Sequence, residues 1–161
     1  MKTQDINVEV FTASLLNRVN SQILRWDFQP VVGEGFYNKP RSKAFIALKM
    51  YMAVSDESGR SKIIWNANDA EIIKYHENYK RDVETALIFF LKYVSALRGE
   101  NIVLTFEIND ATFDFSSSCF SPFEKATIYA IINCFDGMQP PVYRKEIIAT
   151  LKNNLKHLRI I

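Results

Sequence analysis

The chain has 161 residues, of which 20 are Lys or Arg and 18 Asp or Glu, with 48% hydrophobic and 13% aromatic side chains. That content supports a packed core and excludes a largely disordered chain, and the length predicts one domain spanning 1–161. A formal net charge of +2 argues against a polyanion binder of the histone type.

Met1-Lys2-Thr3-Gln4-Asp5 has no apolar run behind it, so no secretory signal is expected. The longest apolar stretch, Ala86 to Leu91, falls far short of the ~20 residues that a membrane span needs. Cys119 and Cys134 form no CxxC pair, and His76 and His157 are remote in sequence, so no metal site is expected. Two thiols without an export signal predict reduced cysteines in a cytoplasmic protein.

The first element, within 1–27, reads as a helix. Phe11, Leu15, Leu16, Val19 and Ile23 recur on one face, and Pro30 with Gly33-Glu34-Gly35 interrupts the period. That Gly-rich stretch is neither a G-x-G-x-x-G fingerprint nor a P-loop, and it reads as a turned loop. Residues 43–54 then alternate with period two: Ala44, Ile46, Leu48, Met50, Met52 and Val54 against Lys43, Phe45, Ala47, Lys49, Tyr51 and Ala53. Residues 55–60 have turn composition, and a strand over 61–66 completes an expected hairpin.

A long helix is expected next, with Asn68 and Glu71 at capping-box spacing. Its apolar residues run from Tyr79 to Leu97, and Gly99 stands at the position after its end. Because 86–91 is apolar on almost every side, this helix is expected to be the most buried. Ile102 to Ile108 reads as a strand, Asn109-Asp110 as a tight turn, and Ala111 to Phe115 as a return strand. Ser121-Pro122-Phe123-Glu124 carries N-cap, N1 and N3 residues of a helix, ended by Asp136-Gly137. After Pro140-Pro141, residues 141–161 form a basic amphipathic helix with Ile147, Ile148, Leu151, Leu155 and Leu158 on one face. The expected fold is α+β: a two-layer sandwich of about four strands with helices on one face, residues 33–137, flanked by an N-terminal and a C-terminal helix.

Charge is segregated along the chain. Residues 39–62 carry six basic and two acidic side chains, residues 99–140 one and six, and residues 141–161 five and one. Such asymmetry steers charged partners.

Four features are candidate sites. The strand face Lys43, Phe45, Lys49, Tyr51, with Lys39, Arg41 and Lys62 nearby, alternates cations with rings. Single-stranded RNA is bound by such surfaces, its bases on rings and its phosphates on ammonium groups; the alternative is an ordinary amphipathic strand. Lys145, Lys152, Lys156 and Arg159 make a basic stripe on the last helix, suited to nucleic acid or an anionic surface, or simply a solvated outer face. Cys119 after Ser116-Ser117-Ser118 lies near a helix start, where a thiol pKa falls; a polar connecting loop explains the segment better. Asp110 and Asp114 suit turn chemistry more than acid–base catalysis.

From Gly33 to about Ile147 the order of elements resembles domain IV of the translational GTPase elongation factor G. The matching pieces are Gly33-Glu34-Gly35-Phe36-Tyr37, Lys43 to Val54, Lys62 to Asn66, Tyr79 to Leu97, Arg98-Gly99-Glu100, Ile102 to Ile108, Asp114-Phe115-Ser116-Ser117 and Phe123-Glu124-Lys125-Ala126. The resemblance implies a split β-α-β fold, with helices on one face of a four-stranded sheet. It also implies two tip loops toward ribosomal RNA, here around Gly33, Gly35 and Tyr37 and at Arg98 and Gly99. The sequence departs from the family where Asn38-Lys39-Pro40 follows Tyr37 in place of a Gly-His step, and it contains no P-loop.

No catalytic constellation or cofactor motif is visible, so a non-enzymatic binding module is expected, associated with RNA or the ribosome. A protein-binding inhibitor, immunity or adaptor protein using the polarised charges is the alternative. A small enzyme built on Cys119 comes third.

Overall fold

The computed structural model describes residues 14–39, 42–53, 59–115 and 122–136. After a helical turn over 14–17, the elements are α1 Asn20–Arg25, β1 Val31–Lys39, β2 Ser42–Tyr51, β3 Lys62–Trp65, α2 Ala70–Tyr75, α3 Tyr79–Arg98, β4 Thr105–Phe115 and α4 Pro122–Asp136. The four strands form one mixed sheet in the order β1-β2-β4-β3. The fold is α+β, and the helical residues join one sheet face in a continuous apolar core. The C-terminal helix expected over 141–161 lies outside the described residues.

Three expectations about the strands change. The Gly-rich segment is no loop: Gly33 and Gly35 sit inside edge strand β1, which pairs antiparallel with β2 from Val31↔Met50 to Lys39↔Ser42. Their role is close approach. A Cβ on Gly35 would stand 1.8 Å from the Ala126 carbonyl oxygen, and one on Gly33 2.3 Å from that of Ala130, so α4 lies directly on the glycine floor.

The second change concerns pairing. The strand over 61–66 does not return against β2; β3 pairs parallel with β4, Lys62↔Thr105 to Trp65↔Ile108. Parallel neighbours need a crossover, and α2 and α3 supply it. The two strands of this β-α-β unit are adjacent, so the unit is not split as the family resemblance implies.

Third, Asn109-Asp110 makes a bulge within a single strand rather than a turn between two. The register moves from Ala47↔Asp110 to Leu48↔Ile108, which leaves Asn109 as the extra residue. Local side-chain bonding, the same chemistry that favours Asn and Asp in turns, supports it. Asn109 Oδ1 accepts from Asn66 Nδ2 at 2.9 Å, and Asp110 Oδ1 accepts from the Ala111 N–H at 2.9 Å.

The expected long helix is interrupted as well. α2 stops at Tyr75 and α3 begins at Tyr79, with His76 in an extended conformation (φ −142°, ψ 86°). The His76 ring closes the break by meeting Asp82 Oδ2 at 3.1 Å and stacking on Phe123. No side-chain bond caps either helix start. At the other end the expectation holds: Gly99 is left-handed (φ 71°), its N–H bonds to Ala96 O and the Glu100 N–H to Ser95 O. That double closure is the Schellman arrangement.

Nor is α3 the most buried helix. It turns Tyr79, Val83, Ala86, Leu87, Phe90 and Val94 inward and leaves Ile88 42% exposed. Helix α4 buries Pro122, Phe123, Ala126 to Ile128 and Ala130 to Ile132, because both the sheet and α3 cover it. Each such large apolar side chain contributes about 1.5–3 kcal/mol on burial.

Candidate binding surfaces

Strand alternation decides which candidate residues meet. Ala44, Ile46, Leu48 and Met50 face the helices. Lys43, Phe45, Ala47, Lys49 and Tyr51 therefore share the opposite face. By register, Lys62 of β3 lies in line with Thr105 and Tyr51, so Lys43, Lys49, Tyr51 and Lys62 share the sheet face that no described helix covers, although Phe45, Thr105 and Thr112 on that face are buried.

Phe45 does not belong to that set as an exposed ring. It is 4% exposed, pairs across the strands with Phe36 and forms a second small apolar cluster with it, against which Ala47 packs. Tyr51 is the half-buried ring that remains, with Lys49 Nζ 5.6 Å from its centroid.

The surface also carries acids. Asp114 stands opposite Lys43 and Glu107 opposite Lys49, and Glu34 and Asp110 flank Ala47 on its two sides. Hydrogen bonding to Glu107, with some desolvation and the carboxylate charge, raises the Tyr51 phenol above its usual value. The face is thus an alternation of charges rather than a uniformly basic field.

The other candidates separate. Arg98 is a structural clamp: its guanidinium donates to Ile23 O at 2.8 Å and Trp26 O at 2.9 Å and lies 4.6 Å from the Phe28 ring centre. It ties the α1 end to α3 instead of forming a tip. Lys39 is exposed at the end of β1, and Tyr37 points to the helix side. Arg41, Lys145, Lys152, Lys156 and Arg159 lie outside the described residues, as do Cys119 and His157.

A cleft of about 450 Å³ runs beside edge strand β1; of the candidate residues legible in the sequence, only Tyr37 and Lys39 line it. Helix α4 supplies its far wall through Tyr129 and Asn133, and Arg18 enters from the turn before α1. The Tyr37 and Tyr129 rings stack at 6.4 Å with 25° between planes. Lys125 Nζ sits 4.9 Å from the Tyr37 ring centre and donates to Tyr37 Oη at 3.4 Å. Asn133 Nδ2 donates to the Glu34 carbonyl at 2.6 Å, occupying a backbone acceptor of the edge strand. The legible signal was the spacing Lys125, Tyr129, Asn133, a polar stripe every four residues on an otherwise apolar helix.

Among the described residues, nucleophilic chemistry finds little footing. Burial pushes the Cys134 thiol far above its usual range, which suppresses the thiolate. Burial likewise raises the Tyr79 phenol, helped by the charges of Asp69 and Asp110. Desolvation, then the Asp82 charge, raises the Glu124 carboxyl, with Lys125 opposing. No group of three or more His, Cys, Asp or Glu among the described residues is arranged to hold a metal ion, and no described helix is long and apolar enough to cross a membrane.

Comparison with protein-family models, with curated proteins and with solved structures finds no match.

Proposed function

We propose that the protein is a non-enzymatic module that binds single-stranded RNA, in the ribosome or elsewhere, through the sheet face that carries Lys43, Lys49, Tyr51 and Lys62. The observation that carries the reading is the gathering of Lys43, Lys49, Tyr51 and Lys62 on that face. A half-buried ring beside an ammonium group offers a base something to stack on and a phosphate something to pair with. The sequence order of elements resembles domain IV of elongation factor G, and that resemblance points to the same class of partner, although the unit is not split and neither expected tip loop is present as such.

Fluorescence anisotropy with a labelled single-stranded RNA tests this. Binding should weaken steeply between low and physiological salt, and the double variant Lys43→Glu, Lys49→Glu should lose about tenfold or more, since each removed phosphate contact lowers affinity. Equal affinity in parent and variant would remove the support.

A second reading has its own observation. Lys43 opposite Asp114 and Lys49 opposite Glu107 give a surface of alternating sign, which suits a complementary protein surface through paired charges. Isolation of one stoichiometric protein partner, without nucleic acid and lost on Glu107→Lys, would select an adaptor or inhibitor role instead.

A further inference from the structure

The cleft beside β1 is a separate place from the sheet face that carries Lys43 and Lys49, and its chemistry is more specific. We infer that it is a site for one nucleotide, with the base on Tyr129 and the phosphate between Arg18 and Lys39. About 450 Å³ lies within the usual range for small-ligand sites, roughly 300–1,000 Å³.

The residues divide the ligand's parts among themselves. Tyr37 carries the Lys125 ammonium and the Tyr129 ring, whereas Tyr129, half-buried on the cleft wall, has among the described residues only the Tyr37 ring against it and is the ring we assign to take a planar group. Arg18 and Lys39 are exposed side chains on the lining, and neither has an ion-pair partner among the described residues. Two cations and a ring on the lining of one cleft suit a phosphate joined to a base better than an apolar peptide, which would leave both charges unanswered. Asp136, also on the lining, repels a phosphate placed beside it but accepts hydrogen bonds from ribose hydroxyls. In the proposed pose the sugar lies toward Asp136 and the phosphate away from it. Asn38 on the rim offers an amide to a base edge.

The rigidity of the wall supports a preformed site. Gly33 and Gly35 seat α4 against β1 at backbone contact, so the distance between the Tyr129 wall and the Lys39 rim is set by packing rather than by a loop.

The same chemistry belongs to a free nucleotide and to the end of an RNA strand, and the test separates them. The full-length protein is titrated with AMP, UMP, adenosine, ribose 5-phosphate and inorganic phosphate, followed by calorimetry and by amide chemical shifts. Both nucleotides should bind, each at least about tenfold tighter than adenosine or ribose 5-phosphate, with shifts confined to β1 and α4. Tyr129→Ala should weaken AMP about tenfold, the scale of losing one base–aromatic stack, while Tyr129→Phe restores it. Arg18→Glu with Lys39→Glu should abolish the preference of AMP over adenosine. The variant Lys43→Glu, Lys49→Glu should leave AMP binding unchanged even if RNA binding on the Lys43–Lys49 face is lost, so the two proposals fail separately. An oligonucleotide with a 5′-phosphate competing with AMP, where its unphosphorylated form does not, assigns the site to strand ends; absence of competition assigns it to free nucleotides. Inorganic phosphate binding as well as AMP, no AMP binding at millimolar concentration, or a Tyr129→Ala variant that folds and binds like the parent would overturn the assignment.

Discussion

The two edges of the sheet are built in opposite ways. At β1, glycines at positions 33 and 35 let helix α4 descend until backbone meets strand, and the space left over is a polar cleft at the side. At β3, Ile63 and Trp65 stand toward α3, and a largely apolar groove of about 370 Å³ lies there with Leu87, Ile88 and Leu91 along it and Lys62 and Glu84 also on its lining. Side-chain size on the facing strand therefore sets helix height, and helix height decides whether an edge presents a polar recess or an apolar trough. The edges also differ in protection. β1 runs nine residues and has its Glu34 carbonyl occupied by Asn133, whereas β3 is only four residues long; a short strand and a capped carbonyl are two ways to limit edge pairing.

The comparison can be broken most forcefully at Gly35. A Gly35→Val side chain would have to displace the Ala126 carbonyl, and neither that helix backbone nor the strand can yield cheaply. A loss of about 3 kcal/mol or more is expected, which in a chain of this size lowers Tm by roughly 6–12 °C; a thermal melt within 2 °C of the parent, a margin of about 1 kcal/mol or less, would contradict the glycine floor. On the β3 side, Leu87→Ala removes a side chain that is 1% exposed and should cost about 2–4 kcal/mol by urea titration. The cost should sit toward the low end if the neighbouring groove lets the site collapse.

Asn133→Ala tests the capped edge. It deletes one hydrogen bond to Glu34 O, worth about 1 kcal/mol, and should speed amide exchange in β1 while leaving β3 unaffected. The smallest effect is expected at Glu124 in the first turn of α4. Its carboxyl is raised in the folded state, first by desolvation and then by Asp82, so the folded protein prefers the protonated acid. Stability from this group is full below the ordinary glutamate value of 4.5 and falls as pH rises through the raised folded value. Glu124→Gln should therefore flatten the stability–pH profile just above 4.5 and leave a slightly more stable protein at neutral pH; an identical slope in parent and variant would refute the assignment.

Much of the architecture could be read from local pattern. The period-two alternation gave the two faces of β2 from Lys43 to Tyr51, but Met52, expected on the core face, lies past the strand and is exposed and Val54 lies outside the described residues. The 3–4 rhythm from Tyr79 to Leu97 with Gly99 located α3 and its end. The Pro122-Phe123-Glu124 start of α4 was equally legible. The candidate site was less so. Lys43, Lys49, Tyr51 and Lys62 do share a surface, yet the proposed hairpin that seemed to bring Lys62 there is absent; the parallel β3–β4 pairing does it instead. Phe45 read as an exposed ring because alternation assigns a face but not what lies on it. Arg98 read as a tip cation because nothing local shows that Ile23 and Trp26 present carbonyls to it. Tyr129, the ring that completes the β1 cleft, carried only a weak periodic trace.

The +2 balance with which the chain was first met conceals a segregation of charge that the sequence alone determines, along with the α+β class, the helical stripes and the alternation of strand faces. These are local properties, set by side-chain periodicity and backbone sterics within a few residues. Only the tertiary structure decided which strands are neighbours, that Gly33 and Gly35 serve contact rather than a turn, that Asn109 enters a bulge, and that acids stand opposite the basic strand. Pairing partner and helix height depend on groups brought together across 60 to 100 residues of chain, and no local pattern encodes a distance between residues that far apart.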